Sequence, residues 1–240
     1  MKNSSRIFYE SGIKFEETDK VSHHGYHRFY PYFLNDLRSD EVVMVEIGVG
    51  RQGSLQFWRD YFPKLTYYGI DIQSEIPEEE IYPGIKIIRG DQSDSSFLKE
   101  LVGKVGEKAN FIIDDGSHNP VHQITSFDYL FQNLLGPGGV YIIEDIETSY
   151  WKKASLYGYE CNFGVGHPNS TVEVFKSIVD SVNLEFLNGE IYSSNERISH
   201  AAQRMIETIS FVQNAIIIVK KDFSSFGEYY NSKYRFSGKI

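Results

Sequence analysis

Short apolar, β-branched runs alternate with helical stretches along this chain, and that order constrains the fold more than any other feature. Each run is apolar almost throughout and ends in glycine or acidic residues, as expected of strands that helices cover on both faces. Such an alternation predicts an α/β fold with a doubly wound, mostly parallel sheet. The predicted parallel strands are residues 42–47, 65–72, 85–88, 111–113 and 140–143.

Amphipathic stretches between and after the runs predict helices. Asn119 and Pro120 suit the N-cap and the first position of one helix, and the glycine-proline turn 136–139 ends it. Later in the sequence, two apolar runs flank Gln213-Asn214 and predict an antiparallel hairpin, so the sheet is expected to end in a C-terminal hairpin. The predicted helices are 54–61, 95–102, 120–135 and 170 to about 182, and the hairpin strands are 209–212 and 215–219.

Length and charge limit the class of protein. The length of 240 residues favours a single domain that spans residues 1–240, because single cores grow to about 250 residues before chains divide. The net charge of −9 argues against nucleic-acid or anionic-membrane partners. No apolar run approaches the roughly 20 residues that span a bilayer, and the N-terminus does not resemble a signal peptide, so no membrane association is expected. The single cysteine, Cys161, excludes an intrachain disulfide and favours a cytoplasmic setting.

The first chemical signal is a glycine-rich turn. Glu46-Ile-Gly48-Val-Gly50-Arg-Gln-Gly53 follows the first predicted strand and opens a helix. Glycines there let the backbone approach a ligand, and the helix N-terminus offers free N–H groups. Asp71, which ends the second strand, is placed to accept both hydroxyls of a ribose. The order of strand, glycine turn, helix, strand and acid predicts an adenosine-containing cofactor, either a pyrophosphate dinucleotide or S-adenosylmethionine. The alternative is a tight turn beside a solvated acid.

The second signal is acidic. Asp114-Asp115-Gly116-Ser117-His118 follows the fourth predicted strand, and Glu144-Asp145 follows the fifth. Neighbouring parallel strands end at one edge of a sheet, so at least three carboxylates are expected to converge beside the cofactor. Like charges so close need a cation, and an all-oxygen set favours Mg²⁺. The predicted ligands are Asp115, Glu144 and Asp145, since Asp114 leaves its strand on the opposite side. Solvated loop acids are the alternative.

His118 lies three residues after Asp115 and is the predicted general base. An imidazole with a pKa near its ordinary value of about 6.5 accepts a proton from a hydroxyl group at neutral pH. The alternative role of His118 is a fourth metal ligand. His122, in the first turn of the next helix, is predicted to be a packing or surface residue.

Several of these segments resemble the class I S-adenosylmethionine-dependent methyltransferases, which have a Rossmann-like sheet. The resemblance is carried by Glu46, the turns 90–94 and 135–139, and the closing hairpin. It implies that Asp71 holds the ribose and that Asp91 or Gln92 lies near the adenine. Asp94 has an alternative role as a helix N-cap. The remaining cofactor-site residues by this resemblance are Glu46, Gly48, Gly50, Gly53 and Asp114.

Four motifs sharpen the resemblance to metal-dependent sugar O-methyltransferases of the mycinamicin and tylosin type and of bacterial surface-sugar synthesis. They are Thr18-Asp19-Lys20, His24-Gly-Tyr26 with Tyr30 and Phe33, IIDDGSH ending at His118, and YIIEDIETSYW ending at Trp151. The resemblance implies Mg²⁺ at Asp115, Glu144 and Asp145, with His118 as the base. It also implies that Lys20, His24, Tyr26 and Tyr30 cover the methionine end of the cofactor. A polar, aromatic surface segment is the alternative for these four residues, and Pro31 is expected to break or kink the helix there.

The sequence therefore predicts methyl transfer from S-adenosylmethionine to a sugar hydroxyl, with a nucleotide-linked sugar as one candidate. Within the domain, 1–40 would cover the cofactor, 147–169 would form a substrate loop, and 222–240 would be an aromatic tail that packs on the body or a partner subunit. A homo-oligomer is expected. The alternatives are a nicotinamide-dependent oxidoreductase, a metal-dependent hydrolase or oxygenase, and a non-catalytic binding module.

Overall fold

The computed structural model describes residues 2–50, 53–73, 80–153, 161–186 and 195–224. Its strands form one sheet in the order β3-β4-β2-β1-β5-β6-β8-β7. The strands are β1 (Val42–Ile47), β2 (Leu65–Asp71), β3 (Glu80–Tyr82), β4 (Ile85–Arg89), β5 (Ala109–Asp114), β6 (Leu135–Glu144), β7 (Ile206–Val212) and β8 (Ala215–Lys220). The α-helices are α1 (Asn3–Gly12), α2 (Asp19–Ser22), α3 (Pro31–Leu34), α4 (Gly53–Tyr61), α5 (Ser95–Val105), α6 (Pro120–Asn133), α7 (Thr171–Ser177) and α8 (His200–Arg204).

The topology confirms the predicted fold class. Strands β4, β2, β1, β5 and β6 run parallel, whereas β8 pairs antiparallel with β6 and β7 antiparallel with β8. The five predicted parallel strands and the hairpin are all present. β3 was not predicted, because an edge strand of only three residues carries no periodic signal. β6 starts at Leu135, earlier than predicted, because the 136–139 turn lies within the extended segment and shifts the register against β5.

Side-chain caps define where the helices begin. Asn119 accepts a hydrogen bond from the Val121 N–H, with Pro120 at the first helical position, as predicted. Asp94 accepts from the Ser96 N–H, so it is the N-cap of α5. Ser170 accepts from the Glu173 N–H and opens α7, but α7 ends at Ser177, well before the predicted end near 182; a 3-10 stretch, Val179–Phe186, follows it.

The sheet is covered on both faces. One core cluster lies between the sheet and α5 to α8, and the other lies beneath α4 and the N-terminal elements. Phe8, Tyr26, Tyr30 and Leu34 are fully buried in the second cluster, so the N-terminal segment is not a surface segment. Pro31 takes the first position of α3, where its missing N–H costs nothing. The Tyr26 and Tyr30 rings, both before Pro31 in the chain, stack on each other at 4.7 Å.

Two regions of functional interest lie partly outside the described residues. Residues 154–160 of the predicted substrate loop, including Tyr157 and Tyr159, lie outside the described residues. The tail from 225 onward also lies outside them. In the described part of the loop, Ile146–Tyr150 forms a 3-10 helix, and Cys161 is buried. Among the described residues, no helix combines the length and apolar character that crossing a membrane requires.

Candidate active site

The glycine turn lies at the carboxyl end of β1 and against two other segments. Gly48 has a φ of +86°, and a Cβ there would lie 2.0 Å from the carbonyl oxygen of Asp115. A Cβ on Gly53 would lie 2.4 Å from the carbonyl carbon of Glu17. Larger residues at these positions would push away the acidic loop after β5 and the N-terminal segment. The glycines therefore allow three parts of the site to meet.

Asp71 is held against this turn. One of its carboxylate oxygens accepts hydrogen bonds from the backbone N–H groups of Val49, at 3.2 Å, and Gly50, at 3.0 Å. The other oxygen accepts from Gln73 N–H at 2.8 Å. These bonds fix a carboxylate beside the glycine turn, as the ribose-binding prediction requires.

Two cavities meet at the turn. The larger, of about 360 Å³, lies over the ends of β1, β2 and β4, and Asp91, Gln92 and His122 contribute to its wall together with Ile70 and Ile72. The smaller, of about 260 Å³, lies between the glycine turn and the N-terminal segment. Both are lined by Gly48, Asp71 and Gly116, so they adjoin each other. Together they provide a long site with an apolar half and a highly polar half.

Asp114 lies beneath this site and lines neither cavity. It is fully buried, and it accepts hydrogen bonds from Gln92 Nε2 at 3.0 Å and from Ser126 Oγ at 2.6 Å. Gln92 in turn accepts from the Ser117 N–H at 2.7 Å. Burial raises the pKa of Asp114, and the bonds from Ser126 and Gln92 oppose that rise. Asp114 thus fixes Gln92 and the acidic loop, and its predicted contact with the cofactor stays a prediction.

The acidic residues converge because of strand register. In the parallel pair β5 and β6, Asp114 lies opposite Ile143, so the next residues, Asp115 just after β5 and Glu144 at the end of β6, lie side by side. Asp115 and Asp114 point to opposite faces of the sheet, as predicted for adjacent residues. Asp115 and Glu144 face the N-terminal segment, where both meet Lys20.

Lys20 is fully buried among three carboxylates. Its Nζ lies 2.7 Å from Asp115, 2.8 Å from Glu144 and 3.4 Å from Glu46. Burial alone would lower the pKa of Lys20, but Asp115, Glu144 and Glu46 together outweigh it and hold that pKa well above its usual value. Burial also raises the pKa of Glu144, against the opposing effect of Lys20. An ammonium group therefore joins the acids of β5 and β6 to the glutamate that precedes the glycine turn.

Glu46 lies under the turn rather than in a cavity. It is fully buried and accepts hydrogen bonds from Ser54 Oγ at 2.9 Å, Trp58 Nε1 at 3.3 Å and Tyr67 Oη at 2.5 Å. These bonds tie β1 to β2 and α4. Its predicted contact with the cofactor stays a prediction.

Asp145 is the centre of a second set of contacts. Asp115, His118 and Asp145 each offer one atom within 4.8 Å of the others, an arrangement that suits a bound metal ion. His118 Nε2 lies 3.6 Å from Asp145 Oδ2. Burial, followed by the charge of Asp115, raises the pKa of Asp145 to about 6. The rise thus comes first from burial and only then from the neighbouring carboxylate, whose effect a bound cation would offset.

Glu144 differs from the other predicted ligands. One of its oxygens accepts from Lys20, and the other accepts from Tyr30 Oη at 2.7 Å. Both oxygens therefore have protein partners here, whereas Asp115 and Asp145 lie within the candidate metal group. Each of these oxygens accepts one hydrogen bond and has a second lone pair, so the predicted metal contact of Glu144 stays a prediction.

Three aromatic rings from the N-terminal segment pack beside the acids. His24 stacks on Tyr26 at 5.0 Å and Tyr26 on Tyr30 at 4.7 Å. Tyr26 Oη donates to Asp145 at 3.2 Å. His24 Nε2 lies 3.3 Å from Asp19 and 3.5 Å from Asp145; burial lowers the pKa of His24, but the two carboxylates outweigh it and raise that pKa. The three rings contact the acids and are not among the residues that line either cavity, so their predicted cover of the cofactor stays a prediction.

Some residues at the site were not anticipated. His122 lines the larger cavity and lies 2.9 Å from Ser117 Oγ, although the sequence indicated packing or a surface position. Asn214, predicted only as a hairpin turn, donates to Asp145 at 2.9 Å. The predicted hairpin could have indicated the position of Asn214. Because β8 pairs with β6 and Ala215 lies opposite Glu144, the hairpin turn lies beside the end of β6.

Comparisons with known proteins identify relatives. No protein-family model matches the chain. The chain is 32% identical over 218 residues to the 8-demethyl-8-alpha-L-rhamnosyl tetracenomycin-C 2'-O-methyltransferase of Streptomyces olivaceus, over 88% of this chain and 54% of that protein. It is 34% identical over 168 residues to the mycinamicin VI 2''-O-methyltransferase of Micromonospora griseorubida, over 65% of this chain and 40% of that protein.

A solved structure shares the fold. The MycE methyltransferase of the mycinamycin biosynthetic pathway, solved in complex with Mg, SAH and mycinamycin VI, matches 92% of this chain and 56% of its own with a TM-score of 0.73 and 26% identity. The chain thus spans about half the length of the relatives it matches.

The sheet order, the glycine turn and the acids beyond β5 and β6 define a domain of the class I methyltransferase type. The comparisons confirm the predicted resemblance: the chain is homologous to sugar O-methyltransferases. They favour neither the oxidoreductase nor the hydrolase or oxygenase alternative.

Proposed function

We propose that the chain transfers a methyl group from S-adenosylmethionine to a sugar hydroxyl in a Mg²⁺-dependent reaction. The observation that carries the proposal is that Asp115 lines the smaller of the two adjoining cavities and also belongs to the compact group that it forms with His118 and Asp145. A methyl donor there would lie beside a group of side chains suited to a hydroxyl acceptor and its proton. The names of the relatives, which are O-methyltransferases of sugar-bearing compounds, support the same reaction.

The two cavities suit the two ends of the cofactor. The larger one has apolar isoleucine walls and polar groups at Asp91 and Gln92, which suit an adenine. Asp71, which both cavities share, is placed for the ribose hydroxyls. The smaller cavity, beside Lys20 and Asp115, would then take the methionine end.

The side chains also fit a hard divalent ion. Asp115, Glu144 and Asp145 would hold Mg²⁺, since the buried acids outnumber the single ammonium of Lys20 among them. When bound, Mg²⁺ would polarise the acceptor hydroxyl and make it more acidic. Because Asp115, His118 and Asp145 form the compact group here, His118 as a ligand is the competing role.

His118 would act as the general base. His118 is buried, and its backbone has a φ of +55°. Its carbonyl oxygen accepts a hydrogen bond from Thr148 Oγ1 at 2.6 Å, which holds this backbone in place. Asp145, 3.6 Å from Nε2, would stabilise the imidazolium that forms when the ring takes the hydroxyl proton. The acceptor oxygen would then attack the methyl carbon as the methyl–sulfur bond breaks and S-adenosylhomocysteine leaves, so alignment of oxygen, carbon and sulfur is the other requirement.

Cofactor identity is tested first by thermal unfolding of the purified chain with S-adenosylhomocysteine or NADH. S-adenosylhomocysteine is expected to raise the unfolding temperature and NADH is not. Stabilisation by NADH and not by S-adenosylhomocysteine would contradict the methyltransferase proposal and favour a nicotinamide-dependent enzyme. Turnover is then measured as S-adenosylhomocysteine release with sugars, nucleotide sugars and sugar-bearing small molecules, in Mg²⁺ and in EDTA. Equal turnover in EDTA would contradict a metal-dependent reaction.

The role of His118 is tested against a matched histidine. His118→Ala is expected to lower kcat by about 10²- to 10⁴-fold and to leave cofactor affinity nearly unchanged. His122→Ala, which alters the wall of the larger cavity, is expected to weaken cofactor binding more than kcat. A normal kcat in His118→Ala would contradict the role of His118 as the general base. A loss of Mg²⁺ affinity in that variant, measured by calorimetry, would instead assign His118 as a ligand.

The same proposal includes wider expectations. Residues 1–40 would cover the cofactor, and the predicted substrate loop, 147–169, would select the sugar. Residues 154–160 of that loop and 225–240 of the tail lie outside the described residues, and the expectations for them stay predictions. A cytoplasmic setting, a nucleotide-linked acceptor and a homo-oligomer stay predictions. Sedimentation of the purified chain tests the last of these.

A further inference from the structure

A buried hydroxyl group at the smaller cavity has no partner. Thr18 is only 4% exposed, and its Oγ1 makes no hydrogen bond to any group in the described part of the chain. Buried polar side-chain atoms in native proteins nearly always have a partner, because leaving one unpaired is costly. The Thr18 hydroxyl therefore needs an explanation.

Local structure does not supply one. Thr18 is the N-cap residue of α2, a position where a threonine hydroxyl ordinarily accepts a hydrogen bond from a backbone N–H of the first helical turn. Here the side chain makes no capping bond. The hydroxyl thus gives up the usual local partner while remaining buried.

The position of Thr18 does suggest a partner. Thr18 lines the smaller cavity together with Lys20, Gly50 and Asp115. Its neighbour Glu17 packs so closely on Gly53 that a Cβ there would lie 2.4 Å from the Glu17 carbonyl carbon. Thr18 is therefore fixed beside the glycine turn, at the end of the site that remains for the cofactor's amino-acid group once Asp71 holds the ribose.

We propose that the Thr18 hydroxyl is a binding group for the amino-acid end of S-adenosylmethionine. This inference rests on the proposed cofactor. A hydroxyl group both donates and accepts, so it suits an end that carries a carboxylate and an ammonium group. Binding of that end would give the hydroxyl the partner that it lacks among the described residues.

The test uses Thr18→Val, which keeps the shape of the side chain and removes the hydroxyl, and Thr18→Ser, which keeps the hydroxyl. Two probes are titrated by calorimetry. They are S-adenosylhomocysteine, and 5'-methylthioadenosine, which has the adenosine and sulfur but no amino-acid end. Thr18→Val is expected to bind S-adenosylhomocysteine about three- to tenfold more weakly and 5'-methylthioadenosine as well as the wild type does. Thr18→Ser is expected to stay near the wild type with both.

Stability of the ligand-free protein gives a second readout. Because Thr18 Oγ1 has no partner to lose, Thr18→Val is expected to leave the unfolding temperature within about 2 °C of the wild type or to raise it. Thr171→Val is the matched control: Thr171 is also buried, but its hydroxyl donates to Gln123 at 2.7 Å. That variant is expected to unfold about 2 to 8 °C lower.

Each other outcome is decisive. Unchanged S-adenosylhomocysteine affinity in Thr18→Val would overturn the proposal, as would an equal loss with both probes. A lower unfolding temperature in Thr18→Val with unchanged affinities would assign the hydroxyl to the fold instead. If the wild type binds neither probe, the proposed cofactor itself fails, which separates that failure from failure of the Thr18 assignment.

Discussion

Removal of the Lys20 ammonium group should destabilise the chain strongly. Lys20→Met keeps a long side chain of similar volume but leaves Glu46, Asp115 and Glu144 without their shared cation. Lys20 and the two glutamates are at most 1% exposed, so water cannot replace the lost interaction. Breaking a buried ion pair from one side costs about 3 to 5 kcal/mol. For a chain of this size, each kcal/mol lowers the unfolding temperature by about 2 to 4 °C, which gives a fall of about 6 to 20 °C.

The measurement is thermal unfolding in EDTA and in saturating Mg²⁺, with Lys14→Met as control. Lys14 also forms an ion pair, with Asp60 at 2.7 Å, but its side chain is 54% exposed, so its loss should cost less than about 1 kcal/mol. Mg²⁺ should recover part of the Lys20→Met loss because it supplies a cation to Asp115 and Glu144. A Lys20→Met variant within 1 kcal/mol of the wild type in EDTA would refute the reasoning. Failure of Mg²⁺ alone to recover stability would count only against the metal site.

Two further predictions concern packing and backbone. Lys220→Met should cost about 1.5 to 3 kcal/mol in denaturant unfolding, because the buried ammonium donates to the carbonyl oxygens of Phe131 and Leu135 at 2.7 Å each; an unchanged midpoint would contradict this. Gly53→Ala should weaken S-adenosylhomocysteine binding and lower stability, because the new methyl group meets Glu17. Gly103→Ala, within α5 with nothing in reach of the added Cβ, should instead raise stability by about 0.5 to 1 kcal/mol, and equal effects of the two substitutions would sink the steric argument.

The fold followed from the sequence because its strands are buried on both faces. Such strands are apolar throughout, so their runs are visible without any partner sequence. β1 was predicted at its observed bounds, Val42–Ile47. The elements that were missed or given wrong bounds are short or irregular. β3 is too brief to show a period, and the beginning of β6 lies within a glycine-proline segment that normally indicates a turn.

The contacts of the N-terminal segment could not be derived in this way. Lys20 meets Asp115 and Glu144 from 95 and 124 residues away in the chain, and no local pattern records such a pairing. Locally, Lys20 is one polar residue in the four-residue helix α2, and a surface position was equally consistent with its composition. Only the family resemblance pointed to the site, and it suggested cofactor contact rather than the ion pairs that the structure shows.

Side-chain alternation explains why the acids gather on one face. Met44 and Ile142 belong to the core cluster beneath the N-terminal elements, so Glu46 and Glu144, two residues further along each strand, face the same side. Asp115 faces that side too, because Phe111 and Ile113 do. Three carboxylates thus reach one buried space by strand geometry, and Asp145 adds a fourth. Lys20 pairs with Glu46, Asp115 and Glu144, whereas Asp145 lies in the group with Asp115 and His118. The same geometry therefore brings carboxylates together beyond the contacts of the one ammonium group, and a divalent cation between Asp115 and Asp145 would offset their charge.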